Sequence, residues 1–262
     1  MWRLLDHGSG SPRWNMAVDK ALWRSHAEAG GPPTLRFYQW SLPTLSLGAA
    51  QKLPQRLSSE RLQGLGLAVV RRPTGGRAVL HGGDLTYAIV AGEKEGFPRS
   101  VTLVYQRLCR GLQAGLARLG LEVLPNAPRS LNNDAVNCFA GVAGGDLSWQ
   151  GKKFVGSAQV WQGRTFLQHG AILLNSQEDT WRLLLGASDC DNSIPTTSLA
   201  AILGAPPSLS DLKSALLQGF QEELDLSFQA GNFTPWELDL LNTELAANSQ
   251  SLVYFPNGNY AV

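Results

Sequence analysis

Apolar and polar positions along this 262-residue chain switch between a period of two and a period near 3.6, and the switches mark out its elements. Short strands are predicted at 2–5, 35–38 and 44–47, at 67–71, where β-branched residues cluster, and at 85–90, which alternates. Residues 15–26 read as an amphipathic helix stopped by Gly30 and Gly31, and 56–64 as a polar one. Ser100 caps the strongest helical pattern, whose apolar stripe is Val104, Leu108, Leu112 and Leu116, with Gly120 past its end. Residues 121–124 return as a strand. The stretch 146–174 then reads as a three-stranded meander with turns at Gln150-Gly151 and Gln162-Gly163. Helices follow near Trp181, over 208–226 and over 234–247; the last has Thr234 as cap, Pro235 first and Glu237 three residues after the cap.

Strands paired locally and mixed with segregated helices predict an α+β fold rather than regular βαβ alternation. No repeat or low-complexity linker interrupts the pattern. A single domain over 1–262 is expected, its C-terminal helical segment at 197–248 being too short for a domain of its own.

Composition narrows the class. Apolar residues make up 44% and charged residues 16%, and no run approaches the ~20 apolar residues of a membrane span. The first residues lack a long apolar stretch of the secretory type, so a cytoplasmic protein is expected. A net charge of +1 with scattered Lys and Arg offers no footprint for gripping a nucleic-acid backbone. Three cysteines without C-x-x-C spacing (Cys109, Cys138, Cys190) predict free thiols, with neither a disulfide framework nor a metal site.

Two motif-like stretches fail on inspection. The segment 145–153 has five residues between its glycines where a P-loop has four, and Lys152 is followed by Lys153. Gly156-Ser157-Ala158-Gln159 lacks the second glycine of a nucleophile elbow, so Ser157 is no nucleophile by this pattern. More informative is Arg71-Arg72-Pro73-Thr74-Gly75-Gly76-Arg77-Ala78-Val79-Leu80-His81, where two glycines let backbone approach a ligand among cationic side chains. The same stretch also reads as a tight turn with solvated arginines. Among the thiols, Cys109 falls inside an apolar helix and Cys190 between two aspartates, whereas Cys138 sits in a Gly/Asn/Ala-rich loop where a neighbouring cation would favour the thiolate. From its own neighbours Lys153 reads as a surface lysine.

The ordered motifs change that picture. Asn15-Met16-Ala17-Val18-Asp19, Leu35-Arg36-Phe37-Tyr38-Gln39-Trp40, Pro43-Thr44-Leu45-Ser46-Leu47-Gly48, the Arg71 to His81 segment, Gly151-Lys152-Lys153-Phe154-Val155-Gly156-Ser157-Ala158-Gln159 and Gln168-His169-Gly170 together resemble the biotin/lipoate protein ligase family across 10–175. The resemblance implies a catalytic domain with a core like that of class II aminoacyl-tRNA synthetases. It also implies an acyl site beside Arg72, Thr74, Gly75, Gly76 and His81, with Gly156, Ser157 and His169 nearby, and a lysine at Lys153 that meets the acyl carbonyl.

Two chemistries divide that family: ATP-dependent ligases form an acyl-adenylate with ATP and magnesium, and octanoyltransferases pass an acyl group through a cysteine without a cofactor. Thr74-Gly75-Gly76-Arg77 in place of a third glycine, Cys138-Phe139 before the lysine motif, and an end at Val262 favour the transferase branch. The implied enzyme is a monomeric acyltransferase of protein lipoylation. It carries an octanoyl or lipoyl group from acyl carrier protein to a lysine of lipoyl domains (2-oxoacid dehydrogenase E2) or glycine-cleavage H protein, with Cys138 as nucleophile. A lipoate-protein ligase and a non-catalytic lipoyl-domain binder are the alternatives.

Overall fold

Polar groups at the helix ends explain where the helices begin and stop in the computed structural model, which describes residues 1–53, 57–125, 146–185, 196–247 and 252–254, with backbone alone at Ser59 and 252–254. Ser11 accepts from Trp14 N–H, Pro12 takes the first turn and Gly30 closes α1 (Pro12–Ala29) in the left-handed region, so the helix is longer at both ends than its apolar period. Ser100 caps α3 (Val101–Ala117), as predicted, after the short α2 (Ser59–Gly64). Three further helices, α4 (Glu178–Leu185), α5 (Leu199–Leu203) and α6 (Leu209–Leu224), precede α7 (Pro235–Ala247). The Thr234 capping box is present in full: Glu237 accepts from Thr234 N–H at 2.7 Å and Thr234 Oγ1 from Glu237 N–H at 3.2 Å.

Twelve strands are found among the described residues: β1 (Trp2–Gly10), β2 (Thr34–Trp40), β3 (Thr44–Leu47), β4 (Ala68–Arg71), β5 (Val79–His81), β6 (Asp84–Gly92), β7 (Leu124–Pro125), β8 (Leu147–Trp149), β9 (Lys152–Gln162), β10 (Thr165–Leu173), β11 (Phe228–Ala230) and β12 (Leu252–Tyr254). Eight form one mixed sheet in the order β11-β1-β2-β6-β10-β9-β8-β7, and four a second, β12-β4-β3-β5. The meander is as predicted, with Trp149 paired to Lys152 across Gln150-Gly151, both at positive φ (49° and 76°). The next turn is one residue later than expected, at Gly163-Arg164, because Gln162 pairs with Thr165.

The strand expected at 121–124 is a correction. Leu121 N–H bonds back to Leu116 O at 3.2 Å and Gln113 Nε2 donates to Val123 O at 2.9 Å, so α3 takes the polar groups a strand would have offered. Only Leu124–Pro125 pairs, while Leu121 and Val123 bury their side chains in the core.

Helices cover both faces of the large sheet. On one face Val104, Leu108, Leu112 and Leu116 of α3 meet Leu212, Leu216 and Phe220 of α6 over Leu35, Phe37, Tyr87 and Ile89. The two helices touch backbone to backbone, since a Cβ at Gly219 would lie 2.2 Å from Gly115 N. On the other face Met16, Ala17, Val18, Ala21 and Leu22 of α1 and Leu240 and Leu241 of α7 pack on Tyr38, Ala88, Val90 and Leu167. The small sheet buries Leu45, Leu47, Val69 and Leu80 against Leu62 of α2 and Trp181 and Leu184 of α4. Among the described residues, no helix is long and apolar enough to cross a membrane.

Candidate active site

Where the small sheet meets the large one, β3 and β5 face β2, β6, β9 and β10 across a partly enclosed cavity. Its wall includes Met16, Tyr38, Trp40, Ser46, Arg72, Val79, His81, Thr86, Gly156, Ser157, Ala158, His169, Gly170 and Ala171, a mixture of apolar surface and a few convergent polar groups. Gly170 lets β9 and Tyr87 close on β10 at this wall: a Cβ there would meet Tyr87 at 2.6 Å and Ser157 Oγ at 2.7 Å.

Two motifs separated in sequence knit into one loop structure at the cavity edge. Ala49 N–H bonds Thr74 O at 2.9 Å and Arg72 N–H bonds Leu47 O at 3.0 Å. Gly48 permits this approach, since a Cβ on it would lie 2.0 Å from Gly76 O. The N–H groups of Arg72 meet Thr74 Oγ1 (3.1 Å), Ser46 O and Oγ (2.8 and 3.4 Å), and the carbonyls of Gly75 and Arg77 (2.8 and 2.6 Å). Five such contacts match the five N–H donors of a guanidinium, so Arg72 shapes the loop and presents its charge to the cavity while its hydrogens are engaged within the chain. Thr74, Gly75 and Gly76 do not line the cavity; they form the loop behind it.

Behind the cavity wall lies a buried ionic network. The Asp19 carboxylate accepts from Arg36 Nη1 (2.5 Å), Tyr38 OH (2.8 Å) and His169 Nδ1 (3.0 Å), while His169 Nε2 lies 2.7 Å from Thr74 Oγ1. An ionised carboxylate only accepts, so His169 carries its proton on Nδ1 and receives the Thr74 hydroxyl at Nε2. Burial pushes the Asp19 carboxyl up, but Arg36, His169 and Tyr38 outweigh it and hold it below the ordinary range. Burial lowers His169, with Asp19 opposing and Arg72 and His81 reinforcing.

Histidines held neutral have a consequence for stability. Burial lowers His26 against the pull of Glu95, and burial together with Arg36 takes His7, which accepts from Arg36 Nε at 3.0 Å, down to about 4. The unfolded chain titrates all three near 6.5 and therefore binds more protons below that pH. Stability present above about pH 6.5 should decline as the pH falls toward 4, before Asp19 adds its own loss at lower pH. Urea midpoints at pH 7 and pH 5 measure this; a midpoint that holds or rises on acidification contradicts it.

Lys153 is fully buried, not the surface lysine its neighbours imply, and does not line the cavity. Its Nζ donates to Asp146 Oδ2 at 2.7 Å, and Asp146 Oδ1 accepts from Ser157 N–H at 3.2 Å. One carboxylate thus joins the lysine to the cavity wall. Ser157 Oγ lies 2.7 Å from Tyr87 OH. Cys109 is buried, and burial and then Asp146 raise its thiol to about 11, consistent with an inert thiol. Cys138 and Cys190 lie outside the described residues.

Residues 11–221 match the lipoyl protein ligase A/B catalytic domain. The chain belongs to that family. The family match runs from the start of α1 into α6, past the motif-bearing stretch of 10–175. Among its relatives, octanoyltransferase LipM of Kyrpidia tusciae is 39% identical over 251 residues, covering 90% of this chain and 92% of that protein. LipM of Bacillus subtilis is 34% identical over 257 residues, covering 92% of each. A crystal structure of lipoate-protein ligase A bound with ATP superposes with a TM-score of 0.79 at 24% identity, over 94% of both chains. A putative lipoate protein ligase of T. acidophilum with bound lipoic acid gives 0.77 at 24% identity, over 94% of this chain and 95% of that one. These structural likenesses establish the lipoyl protein ligase A/B fold, the α+β arrangement expected from the sequence.

Of the residues singled out in sequence, the lipoyl protein ligase A/B fold brings Arg72, His81, Gly156, Ser157 and His169 to one cavity, and places Lys153 one carboxylate away. Sequence reasoning gave no role to Asp19, Asp84 or Asp146. A signal for the first existed: Asn15 and Asp19 are polar residues at i,i+4 on the buried face of α1, matched by Arg36 inside the apolar strand β2.

Proposed function

We propose that this chain is an octanoyltransferase of protein lipoylation, carrying an octanoyl group from acyl carrier protein to a lysine of a lipoyl domain or glycine-cleavage H protein. The alignment with octanoyltransferase LipM proteins over nine-tenths of both partners carries this reading. The lining of the cavity, apolar with a few convergent polar groups, supports the cavity as the acyl compartment.

In the proposed reaction the Cys138 thiolate attacks the thioester carbonyl and the carrier thiol leaves, forming an octanoyl-cysteine. The lysine amine of the acceptor then attacks that thioester, loses a proton and releases Cys138 with an amide formed. Lys153 supplies positive charge to the thiolate and to the tetrahedral oxygen, from a position fixed by Asp146 and β9. Met16, Val79, Ala158 and Ala171 give the chain an apolar wall, and His81 and His169 orient rather than exchange protons in this route. No nucleotide takes part, and a monomer suffices.

The test offers an apo lipoyl domain either octanoyl carrier protein without ATP or free octanoate with ATP and magnesium, and reads the acceptor by mass spectrometry. Octanoylation in the first mixture, lost by at least a thousandfold in Cys138→Ala, is the expected result. Octanoylation only in the second indicates ligation, and none in either a binding protein.

A further inference from the structure

The cavity holds a second constellation to which the cysteine route assigns no proton transfer. Ser46 Oγ lies 2.9 Å from His81 Nε2, and His81 Nδ1 lies 2.9 Å from Asp84 Oδ2. Because the carboxylate accepts, Nδ1 carries the imidazole proton and the unprotonated Nε2 receives the Ser46 hydroxyl. The aspartate is itself fixed, by Gly82 N–H at 3.0 Å and the Thr86 hydroxyl at 2.7 Å. Trp40 Nε1 donates to Thr86 Oγ1 at 2.9 Å, and its ring stacks on His81 with centroids 4.2 Å apart. Every bond in the series Trp40, Thr86, Asp84, His81, Ser46 therefore has a defined direction, and Ser46, His81, Trp40 and Thr86 all line the cavity.

We infer that Ser46, His81 and Asp84 form a second acyl site, at which Ser46 accepts an octanoyl-type group as an ester and releases it to water. The three side chains stand in the relation that nucleophile, base and orienting acid require, and such triads are recognised by geometry rather than by position in a sequence. Arg72 Nη1, 3.4 Å from Ser46 Oγ, brings positive charge to the oxygen; Val79 O, also at 3.4 Å, is a longer competing acceptor for its proton. In the first step Ser46 Oγ bonds to the acyl carbonyl carbon and its proton passes to His81 Nε2, with Asp84 stabilising the imidazolium. The carbon–sulfur or carbon–oxygen bond to the leaving group then breaks, and the leaving group takes that proton. Water next attacks the serine ester, gives a proton to His81, and the fatty acid leaves as the proton returns to Ser46 Oγ.

This site shares the acyl compartment of the proposed function but not its cysteine, so the two can be tested apart. Full-length chain carrying Cys138→Ala is mixed with p-nitrophenyl octanoate. The expected result is a burst of p-nitrophenol, slow turnover, and an octanoyl ester mapped by mass spectrometry to the peptide containing Ser46. Adding Ser46→Ala should remove burst and adduct, and Asp84→Asn, which reverses the imidazole tautomer, should slow the burst at least a hundredfold. Adding Ser46→Cys instead should move the adduct to a thioester, which a merely structural serine would not produce. Near-ultraviolet circular dichroism confirms that each variant is folded. Absence of burst and adduct from the folded Cys138→Ala chain, or an adduct on another residue, overturns the inference. Failure of the Cys138-intact chain to octanoylate a lipoyl domain would instead count against the proposed function and leave this result standing.

Discussion

Lys153→Ala is expected to abolish octanoyl transfer and to cost about 3–5 kcal/mol of stability, because it removes one partner of an ion pair in which both side chains are buried. Against a whole-domain stability of about 5–15 kcal/mol, that loss is large. The two effects separate in a double variant. Replacing the pair by Lys153→Met and Asp146→Leu removes both charges and should recover most of the stability, less about 1–3 kcal/mol for the Ser157 N–H that loses its acceptor. Transfer should stay at least a thousandfold down in both variants, since the proposed role needs the ammonium itself. Urea unfolding and mass-spectrometric acylation of a lipoyl domain read the two quantities. Transfer that survives in Lys153→Ala, or returns in the double variant, would reduce Lys153 to a structural residue.

Arg36→Met should be similarly damaging to the fold, at about 3–5 kcal/mol, without touching any cavity-lining residue by substitution. Arg36 is completely buried, and it donates to Asp19, Asn15 and His7 while lying 3.8 Å from the Tyr38 ring centroid. Methionine fills much of the volume but supplies no cation, leaving Asp19 to the Tyr38 hydroxyl and His169 Nδ1. The charge balance gives a second readout. Arg36 is one of the causes that hold His7 down near 4, after burial, and its removal should raise the His7 titration midpoint. A nuclear magnetic resonance titration of the imidazole resonances measures this alongside urea unfolding. An unmoved His7 midpoint, or a stability loss below about 1 kcal/mol, would show that the network is not what holds α1 to β2.

Both effects arise from side-chain pairings that the local pattern does not specify, although the polar Asn15 and Asp19 on the buried face of α1 hint at the second. Asp19 meets Arg36 across 17 positions and His169 across 150. Asp146 reads in sequence as the polar first residue of the meander, seven positions before Lys153; only the buried geometry makes it the partner of that lysine. Likewise, β5 and β11 are three-residue strands with too few positions to show a period, and exist because β3 and β1 offer them edges.

What the sequence by itself determined was local: the Ser100 and Thr234 caps, the stripe of α3, the Gln150-Gly151 turn and the buried character of Cys109 each depend on neighbours within a few residues. The ordered motifs also named the family. Only the tertiary structure decided which of those motifs touch, for two physical reasons. Gly48 and Gly170 allow approaches that no Cβ would tolerate, and the antiparallel register of β6, β10 and β9 sets His169 beside Ala88 and Ala158, within reach of Asp19 and Thr74. Ser46, His81 and Asp84 came together by the same route, through the pairing of β3 with β5, where Ser46 stands opposite Val79 and next to His81. Backbone register is a property of the whole sheet, and it places side chains that no local pattern connects.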